Sequence, residues 1–414
     1  MVEHAQDGAS DGGDLMPRVA PEDVGMSTSR LARIAPALLR DVGAARIPGA
    51  VVGVARAGQI VFLEGVGYRD PINKAPMMPD ALFSIASMTK PMVSAVAMQL
   101  AEEGAFLLGD PIAEFLPELA NLQVLAAPHP ACVEFRAPER QPTIQDLLRH
   151  TSGMTYAARG DTRAHAAAPG SSMSAASDMS RAEFLSAIAA APLLFEPGTR
   201  WEYGFSTDVL GLLLERVSGQ TLDELLAERL WTPLGMTSTA FDVTSDQRPR
   251  YALALDRDPL GGAAMTIHHA TEQPLQWPSG GAGAVSTAAD YLRFLEVIRR
   301  QGTFNGARIL ARKSVEMMLA DQLPDPADAR IAETMDLAAR GYGFGYGFAV
   351  RRQAGGSALF GSTRDAYWSG VYGSYFWVDP FEDLTVVFMA AAPGPIRLRY
   401  RQLIRALVYQ AIDD

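Results

Sequence analysis

The sequence predicts an α+β protein: a sheet assembled from the two ends of the chain, with a mainly helical segment inserted between them. Runs rich in β-branched residues pair up near both termini, at 50–66 and at 371–391, while the middle of the chain repeats its apolar residues at helical spacing. Length sets the scale. The 414 residues, 48% of them hydrophobic and 20% charged, suffice for one large domain or two interleaved ones with real cores.

Residues 1–22 are polar, acidic and rich in Gly and Ala, and read as a disordered tail. Ser27 is suited to cap a helix running to Arg40, with Leu31, Ile34, Leu38 and Leu39 as its apolar stripe. Strands at 50–55 and 60–66 are separated by Ala57-Gly58, which is hairpin punctuation. Ser87 opens a helix in which Met92, Val93, Val96, Ala97 and Leu100 recur at helical spacing, ending near Gly104. Pro91 falls in its first turn, where a missing N–H costs little.

Helical signals then recur at 143–150, 181–190, 208–217, 222–230 and 287–300. Among them, 157–180 is rich in Ala, Ser and Gly and lacks a period. It is expected to be a tolerated surface insertion, with a mobile lid as the alternative. The aromatic-glycine run 341–348 leads into a strand, 371–378 and 384–391 pair through 379–383, and a last helix carries Ile396, Tyr400, Leu403, Leu407 and Val408 on one face. On this reading 23–105 and 335–414 form the sheet domain and 106–334 the helical one. A site is expected in the cleft between them.

A net charge of −11 argues against nucleic acid, whose binders display a basic face. The single cysteine, Cys132, cannot form an internal disulfide. Neither a secretory signal nor a run of about eighteen apolar residues is present, so no membrane association and a cytoplasmic location are expected. The six histidines (His4, His129, His150, His165, His268 and His269) show no ligand spacing, so neither metal nor cofactor is expected.

Of the 36 basic residues only Lys74, Lys90 and Lys313 are lysine. Where arginine serves for plain charge, a retained lysine invites a chemical role, because only lysine loses its proton at accessible pH. Lys90 closes the chain's one Ser-x-x-Lys, Ser87-Met88-Thr89-Lys90. Three residues apart on a helix, the two side chains share a face and can touch. Serine alone is a poor nucleophile, and a partly desolvated amine beside it can take its proton. The helix N-terminus adds N–H groups that face a developing oxyanion.

With Phe83-Ser84-Ile85-Ala86 ahead of it, that run is followed in order by Leu147-Leu148-Arg149-His150-Thr151-Ser152-Gly153-Met154, Glu196-Pro197-Gly198-Thr199, Trp201-Glu202-Tyr203, Leu234-Gly235-Met236, Gly281-Ala282-Gly283-Ala284-Val285-Ser286-Thr287-Ala288 and Trp368-Ser369-Gly370-Val371-Tyr372-Gly373. In these landmarks the chain, from about Ile47 onward, resembles the serine β-lactamase and penicillin-binding-protein superfamily, most closely its class C-like family VIII carboxylesterases. The resemblance implies a β-lactamase-like antiparallel sheet flanked by helices. It also implies that Ser87 is acylated, that Lys90 is the base, that Tyr203 relays a proton, and that the N–H groups of Ser87 and Val371 form an oxyanion hole. Trp368, Gly370, Phe205, Asp208 and Tyr156 are expected to bind substrate.

Two departures shape the substrate expectation. Where β-lactamases carry Lys-Thr-Gly the chain has Trp368-Ser369-Gly370, offering apolar surface and one N–H in place of a cation. Where class C enzymes carry Asn, Phe205 cannot hydrogen-bond an amide. Both point to esters with apolar groups, small or medium in chain length, as the small-molecule partner. An amidase, D-peptidase, weak β-lactamase or acyltransferase on the same scaffold is the alternative, and a non-catalytic scaffold is a more distant one. For Asp208 a helix N-terminal role stands beside a pocket or orienting one. His150 is expected to be structural rather than a triad member, and Gly8-Ala9-Ser10-Asp11-Gly12 lacks the strand and helix that a nucleophile elbow needs.

Overall fold

The computed structural model describes residues 16–126, 134–271, 273–323 and 340–414; the expected tail over 1–15, Cys132 and the expected boundary at 334/335 lie outside them. Among the described residues the main sheet has eight strands, all antiparallel: β1 (Gly49–Arg56), β2 (Gln59–Asp70), β3 (Ala75–Pro76), β4 (Tyr342–Phe344), β5 (Ala349–Arg351), β6 (Ala366–Ser369), β7 (Tyr375–Asp379) and β8 (Leu384–Ala390). Their spatial order is β4-β5-β6-β7-β8-β1-β2-β3. The two ends of the chain therefore meet in mid-sheet, where β1 pairs with β8 and Val52 lies opposite Phe388. Between β1 and β2, Ala57 and Gly58 both take positive φ (52° and 79°), the mirror-image turn that matches strand twist.

Every residue of β1 and β8 is buried, so these strands read as continuous apolar runs instead of alternating. Both faces are covered. Helix Ala288–Arg299 lies on one, with Tyr291 against Phe376 at 5.0 Å and Leu292 so close to Gly53 that a Cβ there would come within 2.9 Å of it. Helix Arg397–Tyr409 covers the other, stacking Tyr400 on Phe388 at 5.8 Å and Tyr409 on Trp377 at 6.0 Å. Burial of side chains this size contributes about 2 kcal/mol apiece, which is what holds the helices to the sheet.

Several boundaries differ from expectation. Residues 16–22, expected in the tail, belong to the fold, with Met16 buried and the Val19 N–H donating to the Ile60 carbonyl at 3.1 Å. The helix expected over 27–40 is two, Thr28–Leu31 and Ile34–Gly43, and the Glu22 carboxylate, not Ser27, takes the Thr28 N–H at 2.7 Å. The strand expected at 371–378 begins at Tyr375, because the Gly370 N–H donates to the Ser374 carbonyl at 2.8 Å and makes 370–374 a turn. Helix Ala288–Arg299, expected in the helical domain, packs on the sheet because its apolar stripe meets β1 and β7.

Helix Thr89–Glu102, counted with the sheet domain, is buried all round from Thr89 to Leu100 and packs on helices Ser206–Ser218 and Leu222–Leu226. It is a spine of the helical part that touches the sheet at Gly347, between β4 and β5, where Pro91 and Ser94 lie against the glycine. Among the described residues no helix is long and apolar enough to cross a membrane.

Candidate active site

The spine helix begins in a strained turn. Ala86 is held at φ 45°, a left-handed conformation costly for a residue with a Cβ, and such outliers persist where surrounding bonds over-determine them. Those bonds are present: the Ile85 N–H donates to the Ala284 carbonyl (3.0 Å), Thr89 Oγ1 to the Ala86 carbonyl (2.7 Å), and Tyr291 Oη to the Met88 carbonyl (2.8 Å). Ser87, in the 3-10 turn Ala86–Met88, is the one residue between Ala81 and Leu100 that is not fully buried. The fold thus presents a single hydroxyl at the end of a buried helix.

Lys90 follows it into the interior, with 1% of its surface exposed. Its Nζ lies 3.4 Å from Ser87 Oγ, 2.6 Å from the Gly281 carbonyl oxygen and 3.3 Å from Tyr156 Oη. It also sits 4.5 Å above the Tyr203 ring centroid. Sequence and geometry agree on the Ser87–Lys90 pair, which the helix turn brings together as the spacing required.

The second layer is a buried hydrogen-bond ring. Ser172 Oγ lies 2.6 Å from Tyr156 Oη and donates to Asp208 Oδ2 at 2.6 Å. Asp208 Oδ1 accepts from Ser279 Oγ (2.6 Å) and from the Gly281 N–H (3.0 Å), and Ser279 Oγ accepts the Ala282 N–H at 3.1 Å. Burial pushes the Asp208 carboxyl above its ordinary range, while Lys90 and the three donors pull the other way. Burial, with the Asp208 charge and Tyr203 adding to it, drives the Tyr156 phenol well above its ordinary value of 10, so it stays protonated.

Asp208 is fully buried in the first turn of helix Ser206–Ser218, where its helix N-terminal reading put it, with its carboxylate turned into the ring. Phe205 is also fully buried, packed edge-on behind Tyr156 at 4.7 Å and against Phe184 at 5.4 Å, because an apolar ring beside this polar ring has nowhere else to go. Its role is to back Tyr156. Tyr156, expected only to bind substrate, supplies the phenol that meets Lys90. The Tyr203 hydroxyl does not meet it; the ring does, and its Oη has no hydrogen-bond partner.

Trp368 is fully buried between Tyr203 (5.3 Å) and Phe344 (5.1 Å), so it walls the site from behind. Gly370 allows the close approach expected of it, since a Cβ there would fall 2.5 Å from the Ile85 carbonyl oxygen, just ahead of Ser87. Val371 is 47% exposed on the turn that follows. His150 takes no part in a triad: neither ring nitrogen is hydrogen-bonded, and it packs on Trp201, Tyr203 and Phe344. Burial, then the charges of Lys90 and Arg159, depresses its pKa well below the usual 6.5.

The segment 157–180, expected without a period, is largely helical and buries Ala164, Met173, Ala175 and Ala176. It folds into helices Arg163–Ala167 and Ser172–Asp178, and Ser171 caps the second, which fixes Ser172 against Asp208. Sequence reasoning missed Ser172, Ser279 and the Gly281 carbonyl. Gly281 lay in a quoted motif, and a Cβ there would sit 2.3 Å from Asp208 Oδ2 and 2.4 Å from Ser172 Oγ, so glycine is required by space. A small apolar cluster of Ala86, Met173 and Ala282, with Leu275 and Tyr372 packed on it, flanks the nucleophile turn.

Comparison with known proteins bears directly on this geometry. The sequence model of the Beta-lactamase family matches residues 35–410, which include Ser87, Lys90, Tyr203 and Trp368. The chain belongs to the Beta-lactamase family. It is 35% identical to Protein Rv1367c of Mycobacterium tuberculosis (strain ATCC 25618 / H37Rv) over 370 residues, covering 85% of this chain and 88% of that one. It is 31% identical to Esterase EstB of Burkholderia gladioli over 384 residues, covering 87% and 91%. Among solved structures, EstCE1, a hydrolase with promiscuous acyltransferase activity, superposes with a TM-score of 0.76 at 27% identity, covering 92% of this chain and 99% of that one. Membership of the Beta-lactamase family makes the chain an enzyme of the serine-hydrolase type, with the β-lactamase-like fold expected from its motifs.

Proposed function

We propose that the protein is a serine carboxylesterase that cleaves small or medium-chain esters through an acyl-enzyme on Ser87. The observation that carries the reading is the lone accessible Ser87 hydroxyl with a buried Lys90 amine 3.4 Å from its oxygen. Lys90 takes the Ser87 proton as Oγ bonds to the ester carbonyl carbon, and the N–H groups of Ser87 and Val371 hold the resulting oxyanion. The tetrahedral species then expels the alkoxide, which needs a proton. Lys90 carries the Ser87 proton at this stage and returns it to the alkoxide; Tyr203, whose ring centroid lies 4.5 Å from the Lys90 amine, is the proposed relay, a role that requires its hydroxyl to turn toward the amine. Water next attacks the acyl carbonyl, the acid leaves, and the proton returns to Ser87. The apolar cluster of Met173, Leu275 and Tyr372 beside Ala86 suits an apolar acyl or alcohol group, and relatives named esterases support the bond type.

A second reading differs only in the acceptor. The neighbour named a hydrolase with promiscuous acyltransferase activity favours an alcohol competing with water for the acyl-enzyme. Steady-state hydrolysis of 4-nitrophenyl butyrate tests the first reading. Ser87→Ala should abolish turnover, and Lys90→Arg, which keeps charge but no usable base, should lower kcat by about 1000-fold. Tyr203→Phe should lower kcat with little change in KM. Full activity in Ser87→Ala contradicts the assignment. Added short-chain alcohol diverting product from acid to new ester would establish the second.

A further inference from the structure

We infer that Asp208 is the positioning residue of this site: through two hydrogen-bond arms it fixes the direction of the donors around Lys90 and leaves the amine's lone pair aimed at Ser87. The inference rests on the Ser87–Lys90 reading above and goes beyond it to what orients the base.

An ionised carboxylate only accepts hydrogen bonds, and this sets the sense of both arms. On the first arm Ser172 spends its one proton on Asp208 Oδ2, so its oxygen accepts the Tyr156 proton at 2.6 Å. The Tyr156 proton then points away from Lys90, and its oxygen can only accept from the amine, 3.3 Å away. On the second arm Ser279 donates to Oδ1 and accepts the Ala282 N–H. The Ala282 N–H and the Gly281 carbonyl belong to one peptide group, so this bond pins the plane whose oxygen receives Lys90 at 2.6 Å. The Gly281 N–H, also on Oδ1, pins the preceding peptide.

A neutral amine has two N–H bonds and one lone pair. Both N–H bonds are spent, on the Gly281 carbonyl and on Tyr156. The remaining direction is Ser87 Oγ at 3.4 Å, where a general base must present its lone pair.

An amide in place of the carboxylate reverses the first arm. Its NH2 group would donate to Ser172, Ser172 to Tyr156, and Tyr156 to the Lys90 lone pair, which is then withdrawn from Ser87. The experiment measures the labelling rate of Ser87 by a fluorophosphonate, a reaction that needs an activated serine but no particular substrate, in wild type, Asp208→Asn, Ser172→Ala and the double variant. Thermal midpoints, kcat and KM on 4-nitrophenyl butyrate accompany it. Each single variant should label roughly 100-fold more slowly, with kcat falling in step and KM within about twofold, and the double variant should be no slower than Asp208→Asn. Wild-type labelling in Asp208→Asn, multiplied losses in the double variant, or a rise confined to KM would each overturn the positioning role. Should Asp208→Asn fail to fold, Ser172→Ala, which removes no charge, decides the matter by the same labelling rate. Normal wild-type labelling without ester turnover counts against the ester reading alone.

Discussion

Two glycines show how little room the catalytic residues leave. Gly281 touches Asp208 and Ser172 so closely that a methyl group would displace the ring that orients Lys90, and Gly370 lies against the Ile85 carbonyl ahead of the nucleophile. Neither is at a positive φ, so the demand is for space and not for backbone freedom. Gly281→Ala should therefore lower kcat by about 100-fold while thermal stability falls only modestly, and paired kinetics and calorimetry check this. Gly370→Ala should act through the turn carrying Val371 and reduce kcat similarly. An alanine at either position with wild-type kcat would mean that the backbone relaxes freely there. At this scale the sequence was legible where chemistry and spacing coincide, as in Ser87 and Lys90. It was silent on Ser172 and Ser279, because a serine in a small-residue segment looks alike whether it caps a helix or anchors a buried carboxylate.

Helix Ile144–Leu148 illustrates how one short element serves the site. It opens with a capping box in which Thr143 and Asp146 satisfy each other's backbone donors, and it leads through 149–154 to Tyr156. Asp146 is fully buried and accepts from Arg140 (2.6 Å), Arg149 (3.0 Å) and Thr151 (2.7 Å). Burial pushes its carboxyl up, but the bonds from Arg140, Thr151 and the Thr143 N–H outweigh this and hold it below the ordinary value. Asp146→Asn removes the charge while leaving the arginines in place, and should cost on the order of 3 kcal/mol, read as a lower urea midpoint at unchanged slope. The cap was readable from Thr143, the start of an apolar periodic run. The two helices within 157–180 were not, since their Ala and Ser residues carry too little amphipathic contrast to set a period. The same weakness hid the placement of helix Ala288–Arg299, whose stripe is clear but whose partner surface lies far away in sequence.

On the scale of the whole molecule, the two chain ends share one sheet, and a helix buried from Thr89 to Leu100 links it to the helical part, so stability and site are coupled. Buried histidines make that coupling depend on pH. Burial, helped by His268, lowers the pKa of His269 from 6.5 to about 4, while its Nδ1 lies 2.7 Å from Ser84 Oγ in the short strand Phe83–Ser84 that leads to Ser87. A depressed folded-state value means stability that is present above pH 6.5 and lost as pH falls toward about 4, amounting to about 3 kcal/mol for this group alone. His150 adds in the same direction. Urea unfolding at pH 7.5, 5.5 and 4.5 should show that loss, and His269→Gln should lessen it; an unaltered pH dependence would mean that His269 does not contribute to it. The antiparallel sheet built from both termini was legible because β1, β2, β7 and β8 are apolar runs with clear turns. The aromatic-glycine run 341–348 leads into β5 as expected, whereas β3 and β4, of two and three residues, are too short to announce themselves. In the proposed reaction Ser87 carries the acyl group. Rapid acid quench after mixing with 4-nitrophenyl butyrate, followed by peptide mass spectrometry, should find one butyryl adduct on the peptide containing Ser87, growing with the burst of nitrophenol. A burst with the adduct elsewhere, or with none at all, would contradict it.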